Sequence, residues 1–442
     1  VKFSPRETAG KIVGKLQAAG FSAFWVGGCV RDFLLGREPQ DFDIATDARP
    51  EQVEKLFPKT IPVGKKFGVI IVVEHKHQFQ VATFRAEADY RDGRRPEQVI
   101  FASAEADARR RDFTVNGLFY DPLTQKIHDW VGGEKDLAAC LIRTIGAPSE
   151  RFGEDHLRLL RAVRFAAQLD FAIEPGTFAA MQSLAPKIKA ISAERIRDEL
   201  MKLFRPPHAA RGLDLLRDSG LLEPVLPELA ATIQCEQSSD FHPEGSVYNH
   251  IRLMLDKLPA DAGESLPWAV LLHDIAKPIT AQREPGTSRI HFYGHEKMGA
   301  AMAEEILRRL KFSNQQIGGI TAAVLHHMQF KDVKLMRKAT LRRMLLRATF
   351  PLELELHRLD SLGSHGDLEH YDFCVAANEE LKRQPEIHPP LLTGDDLLAL
   401  GLPRGKRIGE LLHQVREKQL GEELKTRREA LAWVKKQLSP HV

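Results

Sequence analysis

The sequence predicts an α+β head, a small mixed sheet with helices, followed by an all-helical neck, body and tail. Three observations carry this. Runs rich in β-branched and aromatic residues crowd roughly the first 130 residues. From about Asp136 onward such runs vanish, and long helical stretches of Leu, Ala, Arg and Glu continue to the C-terminus. Prolines break those stretches at intervals.

In order along the chain, Phe24-Trp25-Val26 reads as a short buried strand and Val69-Ile70-Ile71-Val72-Val73 as a longer one. Phe79 to Phe84 alternates as a half-buried strand should, and Val99-Ile100-Phe101 is a further apolar run. Helical patterns separate these strands. Breaks are expected at Arg205-Pro206-Pro207, at Glu284-Pro285-Gly286 and at Glu386-Ile387-His388-Pro389-Pro390. The reading therefore divides the chain into a head (1–137), a neck (138–206), a body (207–385) and a tail (386–442).

A chain of 442 residues fits two to four domains. With 43% apolar and 28% charged residues it has material for a core, which excludes a wholly disordered or collagen-like chain. Lys+Arg of 63 against Asp+Glu of 60 leaves +3, so any nucleic-acid surface must be local. Cys29, Cys140, Cys235 and Cys374 lie far apart with no CxxC pair, which disfavours a disulfide scaffold or zinc ribbon and fits a reducing cytosol. The N-terminal stretch has no apolar leader, and no segment approaches a membrane span. The expectation is a soluble cytoplasmic protein with no membrane partner; the oligomeric state is unknown at this stage.

Chemistry first appears at Gly27-Gly28-Cys29-Val30-Arg31-Asp32, which follows the first strand and leads into Phe33-Leu34-Leu35. Two glycines at a strand end let the backbone turn sharply and bring N–H groups near an anion. Ten residues on comes Asp41-Phe42-Asp43-Ile44-Ala45. As a strand, this puts Asp41 and Asp43 on one face and Phe42 and Ile44 on the other. Adjacent like charges repel unless a cation joins them, and Mg²⁺ takes one or two carboxylates plus substrate phosphates.

GGCVRD followed by DFDIAT resembles the head of class II nucleotidyltransferases, the bacterial CCA-adding enzymes and poly(A) polymerases. The resemblance continues in order down the chain. Arg110-Arg111-Asp112-Phe113-Thr114-Val115-Asn116 is similar to the family's ribose-binding motif, with Gly117 where alanine is usual. Glu154-Asp155-His156-Leu157-Arg158, continuing through Arg161 and Arg164 to Phe165, resembles its nucleotide-selecting helix, and Glu194-Arg195-Ile196 the motif that braces it. What this implies is a nucleotidyltransferase fold in the head, Asp41 and Asp43 as Mg²⁺ ligands and catalytic residues, and a nucleotide site of Gly28, Arg31, Arg111, Asp112, Asn116, Asp155, Arg158, Arg161 and Arg164. Gln80 stands where the family commonly has Glu; a neutral amide supplies no anionic charge, so a third ligand is left unassigned.

Asp155 and Arg158 stand three apart, so on a helix they share a face and can address one base. Cytosine and adenine each offer an amine donor beside a ring-nitrogen acceptor, which suits an Asp acceptor and an Arg donor; uracil and guanine present the reverse. Buried polar groups facing like partners reject a mismatched base. The same spacing also describes an ordinary surface ion pair. The charged loop 85–96 resembles the flexible loop with which full CCA-adding enzymes switch from CTP to ATP, and Pro39-Gln40 and Gly64-Lys65-Lys66-Phe67-Gly68 look closer to that type than to poly(A) polymerases.

Among 18 histidines, His250, His273-Asp274, His295, His326-His327 and Asp360 fall in an order resembling the HD-type metal phosphohydrolase domain. His250, His273, Asp274, His295, His326 and Asp360 are accordingly a candidate site for a second divalent metal. Individually hydrogen-bonded histidines in a helical body are the alternative. Basic residues cluster at 331–347, including Lys338, Arg342 and Arg343, and again at Arg404 and Lys406. Such clusters bind phosphate backbones, and the resemblance implies the acceptor arm and elbow of tRNA.

The expected activity is template-independent addition of CCA to tRNA 3′ ends from CTP and ATP, releasing pyrophosphate by a two-carboxylate, Mg²⁺-dependent mechanism. Within that class an A-only enzyme or a poly(A) polymerase is the alternative. From different classes come an HD-type phosphohydrolase whose head only binds RNA, and a non-enzymatic RNA-binding protein.

Overall fold

The computed structural model describes residues 4–86, 100–238, 245–287, 289–383 and 389–438. The chain forms two compact units, Val1–Pro227 and Glu228–Val442.

Unit 1 opens with helix α1 (Pro5–Ala18), started by Ser4 and Glu7 in a reciprocal capping box with proline in the first turn. A seven-stranded mixed sheet follows, in the order β3 (Thr60–Ile61), β4 (Val69–Glu74), β5 (His77–Thr83), β2 (Ile44–Thr46), β1 (Ala23–Val26), β8 (Phe119–Asp121) and β9 (Lys126–His128). Only the β2–β5 pairing is parallel, with Ile44 opposite Val81; the other neighbours are antiparallel. Branched side chains build β4, where Ile70 and Val72 are fully buried, each worth about 1.5–3 kcal/mol. Phe24, Phe84, Phe119 and Trp130 pack together on one face.

Three sequence-based strands are found in place at β1, β4 and β5. The fourth run forms β7 (Ile100–Phe101) against β6 (Arg85–Ala86), and the remainder of the charged loop lies outside the described residues. The expected strand at 41–45 begins only at Ile44, and Asp41 to Asp43 lie in the irregular chain that leads into it. Strands also persist past Asp136, contrary to expectation: Leu141–Ile142 pairs with Ala172–Ile173, and Gln282–Arg283 with Ile290–His291. Between the latter two, Glu284-Pro285-Gly286, expected as a helix break, lies in a hairpin loop in which Gly286 has φ +79°.

Below the sheet, α6 (Pro148–Glu154) and α7 (Leu157–Leu169) lead into α8 (Pro175–Leu184), α9 (Ala193–Leu203) and α10 (Ala209–Asp218). Helix α7 is buried along most of its length and packs on α9 and α10. Unit 2 is largely helical. Its most apolar segment, Ser265–Leu272, buries Leu266 through Leu272 without interruption, as a central helix must. Helices Val247–Asp256, Asn314–His326 and Phe350–Gly363 surround it.

Candidate active site

Asp41 and Asp43 are exposed while Phe42 and Ile44 are buried, so the predicted alternation holds although the residues precede the strand. Phe42 packs edge-on against Trp25 at 4.8 Å, and the Asp43 carbonyl accepts from Val26 N at 3.0 Å; together these fix which way the two carboxylates face. The Asp43 carboxyl sits above its ordinary range. Loss of hydration raises it, Arg111 opposes that, and the neighbouring Asp41 raises it further. Carrying the Ile44–Val81 register back one residue sets exposed Gln80 beside Asp43, so β5 offers an amide there and no third carboxylate.

Gly27 turns the chain at φ +73°, and a Cβ there would lie 2.9 Å from Arg111 Nη1. The positive φ is what favours glycine there. Gly28 then begins α2 (Gly28–Leu34). From α2, buried Arg31 donates Nη1 to Asn116 Oδ1 at 2.7 Å and Nε to Asp32 at 2.9 Å. Asn116 Nδ2 donates to Asp112 Oδ1 at 3.1 Å, and Asp112 Oδ2 accepts from Arg161 Nε at 2.8 Å. Arg161 and Arg164 on α7 both face Glu199 of α9, the latter at 2.6 Å. Phe165 lies under the guanidinium carbons of Arg31, Arg161 and Arg164 at 5.3, 5.3 and 4.1 Å. Burial would raise the Asp112 carboxyl, but Arg161, Asn116 and the Phe113 N–H overcome it and hold it at about 2. Asp112 is thus spent inside the protein, tying head to neck. Arg111 donates to Asp107, a buried carboxylate that also holds Arg110.

Asp155 and Arg158 do not share a helix as expected. Asp155 is extended, between α6 and α7, and its Oδ1 accepts from Leu157 N at 3.0 Å. Its Oδ2 accepts from Arg195 Nη2 at 2.7 Å, so the expected brace from α9 is present. Arg158 is buried; its Nη1 bonds Glu154 and, at 2.8 Å, the Arg151 carbonyl. The two side chains are held by different partners, Asp155 by Arg195 and Arg158 by Glu154 and the Arg151 carbonyl.

Sequence reasoning missed Glu199 and Asp107, and quoted Glu154 within a motif without giving it a role. Two left a signal: Glu199 occupies the apolar stripe of Ile196, Leu200 and Leu203, and Asp107 stands three and four before Arg110 and Arg111. Gly117 has a local reason, since a Cβ would meet Val131 Cγ2 at 2.7 Å and Ile145 Cδ1 at 3.0 Å.

In unit 2, His250, His273, Asp274, His295 and Asp360 come together, but His327 joins them in place of His326. His326 points elsewhere and pairs with Gln329 Nε2 at 2.9 Å; successive helical residues diverge by about 100°. Asp274 is held well below the carboxylate range, because His273 and Lys277 outweigh its burial, and burial lowers His327 to about 4. His250 lowers the Asp360 carboxyl in the same way against its burial.

The basic stretch is put to a different use than expected. Arg342 is buried and donates to the Leu420 carbonyl at 2.8 Å and to Glu422; Lys338 pairs with Glu422 at 2.7 Å, and Arg343 with Glu417. Arg404 and Lys406 are exposed and have no ion-pair partner among the described residues.

A mixed sheet carrying paired carboxylates beside a glycine turn, with an arginine-rich neck helix, is the arrangement that a nucleotidyltransferase requires. Family models match in the same order: the poly(A) polymerase head domain over residues 23–143, a model described as an RNA- and SrmB-binding site of polymerase A over 170–233, and domain 2 of tRNA nucleotidyltransferases over 293–434. Each model matches less than half of the chain, and together they make it similar, part by part, to class II tRNA nucleotidyltransferases and bacterial poly(A) polymerases. It is 47% identical over 236 residues to the CCA-adding enzyme of Geobacillus kaustophilus, a match that spans 53% of this chain and 58% of that relative. The structure of the Bacillus stearothermophilus CCA-adding enzyme in complex with CTP is similar over 99% of this chain and 98% of that one, with 27% identity and a TM-score of 0.74. The Thermotoga maritima CCA-adding enzyme complexed with tRNA shares the fold at 18% identity and a TM-score of 0.58, over 99% and 97% of the two chains.

Proposed function

We propose that this chain adds CCA to tRNA 3′ ends, without a template, from CTP and ATP. The observation that carries the reading is the pair Asp41 and Asp43, exposed side by side at the head of β2, close to the Arg111 charge. Two like-charged oxygen donors, with an amide in place of a third carboxylate on β5, suit a hard divalent cation shared with substrate phosphates, and Mg²⁺ is the ion proposed. When bound, it would lower the cost of the charge that develops as the α-phosphoryl moves to a ribose 3′-hydroxyl. The Gly27-Gly28 turn brings main chain close to the triphosphate, and Arg111 opposes its charge.

Base choice falls to Asp155 and Arg158. Arg195 fixes one and Glu154 the other, so acceptor and donor are set before the base arrives. A rigid acceptor–donor pair accepts the amine and ring nitrogen of cytosine or adenine and meets like with like on uracil or guanine. Asn116, Asp112, Arg161 and Arg164 hold Arg31 and the neck helix in place behind them. RNA binding by the acceptor arm and elbow would draw on Arg404 and Lys406. The reading also puts the chain in the cytoplasm; its four cysteines are free, and no helix among the described residues is long and apolar enough to cross a membrane.

The test is to supply each NTP with tRNA ending before CCA, ending in CC, or complete, and to sequence the 3′ ends. Addition of C, C and A, then arrest, is expected. Addition to CC ends alone would make it an A-only enzyme, and a homopolymer of A a poly(A) polymerase.

A further inference from the structure

Asp107 is buried in the helix Ala104–Arg109 of the head, and the nucleotide-transfer reading gives it no role. Its carboxylate accepts from three residues. Oδ1 takes Arg85 N at 3.1 Å and Arg110 Nε at 2.8 Å, while Oδ2 takes Arg111 Nε at 3.2 Å and Nη2 at 3.0 Å. Burial would raise this carboxyl, but Arg111 and Arg110 overcome it and hold it below the ordinary range, so it stays charged. The surrounding chain is tied down as well. Arg110 Nε also reaches the Arg85 carbonyl at 3.0 Å, Arg85 Nη1 donates to the Phe67 carbonyl at 2.9 Å, and Arg151 Nη2 donates to the carbonyls of Arg110 and Arg111 at 2.6 and 2.9 Å. Asp107 is thereby fixed to β6 and to the neck before any ligand arrives.

A guanidinium carries its N–H groups in a rigid planar fork, so holding one edge aims the other. With Nε and Nη2 on Asp107, Arg111 keeps Nη1 for what lies beyond. That nitrogen stands at the Gly27 turn, 2.9 Å from where a Cβ would be, and its bond to the Asn116 carbonyl is long, 3.4 Å. The Phe119 ring lies under the guanidinium carbon at 5.1 Å. Its charge reaches Asp43, whose carboxyl it lowers against burial. The Arg111 side chain is 20% exposed and that of Asp107 only 2%, so the clamp is dry while the clamped charge is open.

We propose that Asp107 is a positioning residue for triphosphate binding: by gripping Nε and Nη2 it aims Nη1 of Arg111 at an anion seated on the Gly27-Gly28 turn. The inference rests on the reading of that turn, with Asp41 and Asp43, as a nucleotide site. Asp107 touches no ligand itself. A long cationic side chain that is already oriented loses little rotamer freedom when the anion arrives, and that saving appears as affinity. Its loss is therefore felt through Arg111 and through no other residue of the site.

The experiment titrates four full-length chains with CTP by calorimetry, in chelator so that no metal ion answers for the phosphate charge: the parent, Asp107→Asn, Arg111→Ala and the double variant. Each single change should weaken CTP binding about tenfold, and the double variant should bind no worse than Arg111→Ala. In the transfer assay Asp107→Asn should raise KM for CTP and ATP alike at little-changed kcat, a split that general loosening of the head would not give. Parent-like CTP affinity in Asp107→Asn, losses that multiply in the double variant, or a fall confined to kcat would overturn the proposal. Should Asp107→Asn not fold, Arg111→Lys replaces it: one ammonium cannot both fill the clamp and meet the anion, so the same tenfold loss is expected, and parent-like affinity would overturn the proposal. A parent chain that binds no CTP defeats this inference together with the nucleotide reading. The expected pattern of affinities in a chain that extends no tRNA would sink the transfer reading and uphold this inference.

Discussion

Each unit of the molecule buries a polar cluster, and the two are wired in opposite ways. In the first, every link joins a donor to an acceptor: Arg31 to Asn116, Asn116 to Asp112, Asp112 to Arg161, and Arg164 to Glu199. In the second, imidazole nitrogens face each other and a carboxylate. A satisfied network fixes geometry and asks nothing of a ligand; a cluster of inward lone pairs is incomplete without one. The first cluster therefore acts as an internal frame behind Asp41 and Asp43, whereas the second leaves buried imidazoles facing one another around a carboxylate.

The sharpest way to break the contrast is at the carboxylates the frame supports. Asp41→Ala with Asp43→Ala should lower the rate of nucleotide addition by about 10³-fold or more, while thermal unfolding shifts little because both side chains are exposed. Next comes the frame itself. Asp112→Ala leaves Arg161 without its close partner and should cost about 3–5 kcal/mol in denaturant unfolding. The intact frame has a pH signature too. Asp112 folds with its carboxyl at about 2, below the unfolded value of about 3.9, so it stabilises the protein by about 2–3 kcal/mol above pH 4. That contribution should fade as pH falls through the interval from about 4 to 2, and Asp112→Asn should flatten the profile of Tm against pH there. Smaller is Gly117→Ala, whose methyl meets Val131 and Ile145; about 1–3 kcal/mol of destabilisation is expected from chemical unfolding. Smallest is the tail. Arg404→Ala and Lys406→Ala should each weaken tRNA binding a few-fold and reduce the salt slope by about one, leaving base choice intact.

Much of the fold was legible, because β4 is a run of branched residues, β1 a short run of buried apolar ones, and β5 alternates, patterns that local physics alone dictates. The paired aspartates were legible for the same reason: Phe42 and Ile44 must go inward, so Asp41 and Asp43 go outward. Features decided by distant chain were not. Nothing in Glu154-Asp155-His156-Leu157 marks the bend between α6 and α7, since neither proline nor glycine sits there, and the partner that holds Asp155, Arg195, lies 40 residues on. His326 and His327 are neighbours in sequence, and only the surrounding helices decide which one turns inward. The basic stretch at 331–347 looked like a phosphate-binding face because its acids lie far off; Glu417 and Glu422 are 74 and 80 residues from Arg343 and Arg342.

The account rests most heavily on Asp41 and Asp43 as the seat of transfer. Sequencing of tRNA 3′ ends after incubation with CTP and ATP, comparing the parent chain with the Asp41→Ala, Asp43→Ala variant, tests that directly. CCA restored by the parent and no extension by the folded variant is the predicted result. Equal extension by both, or none by the parent, would contradict it, and a phosphohydrolase activity surviving in the variant would then point to unit 2 as the working half.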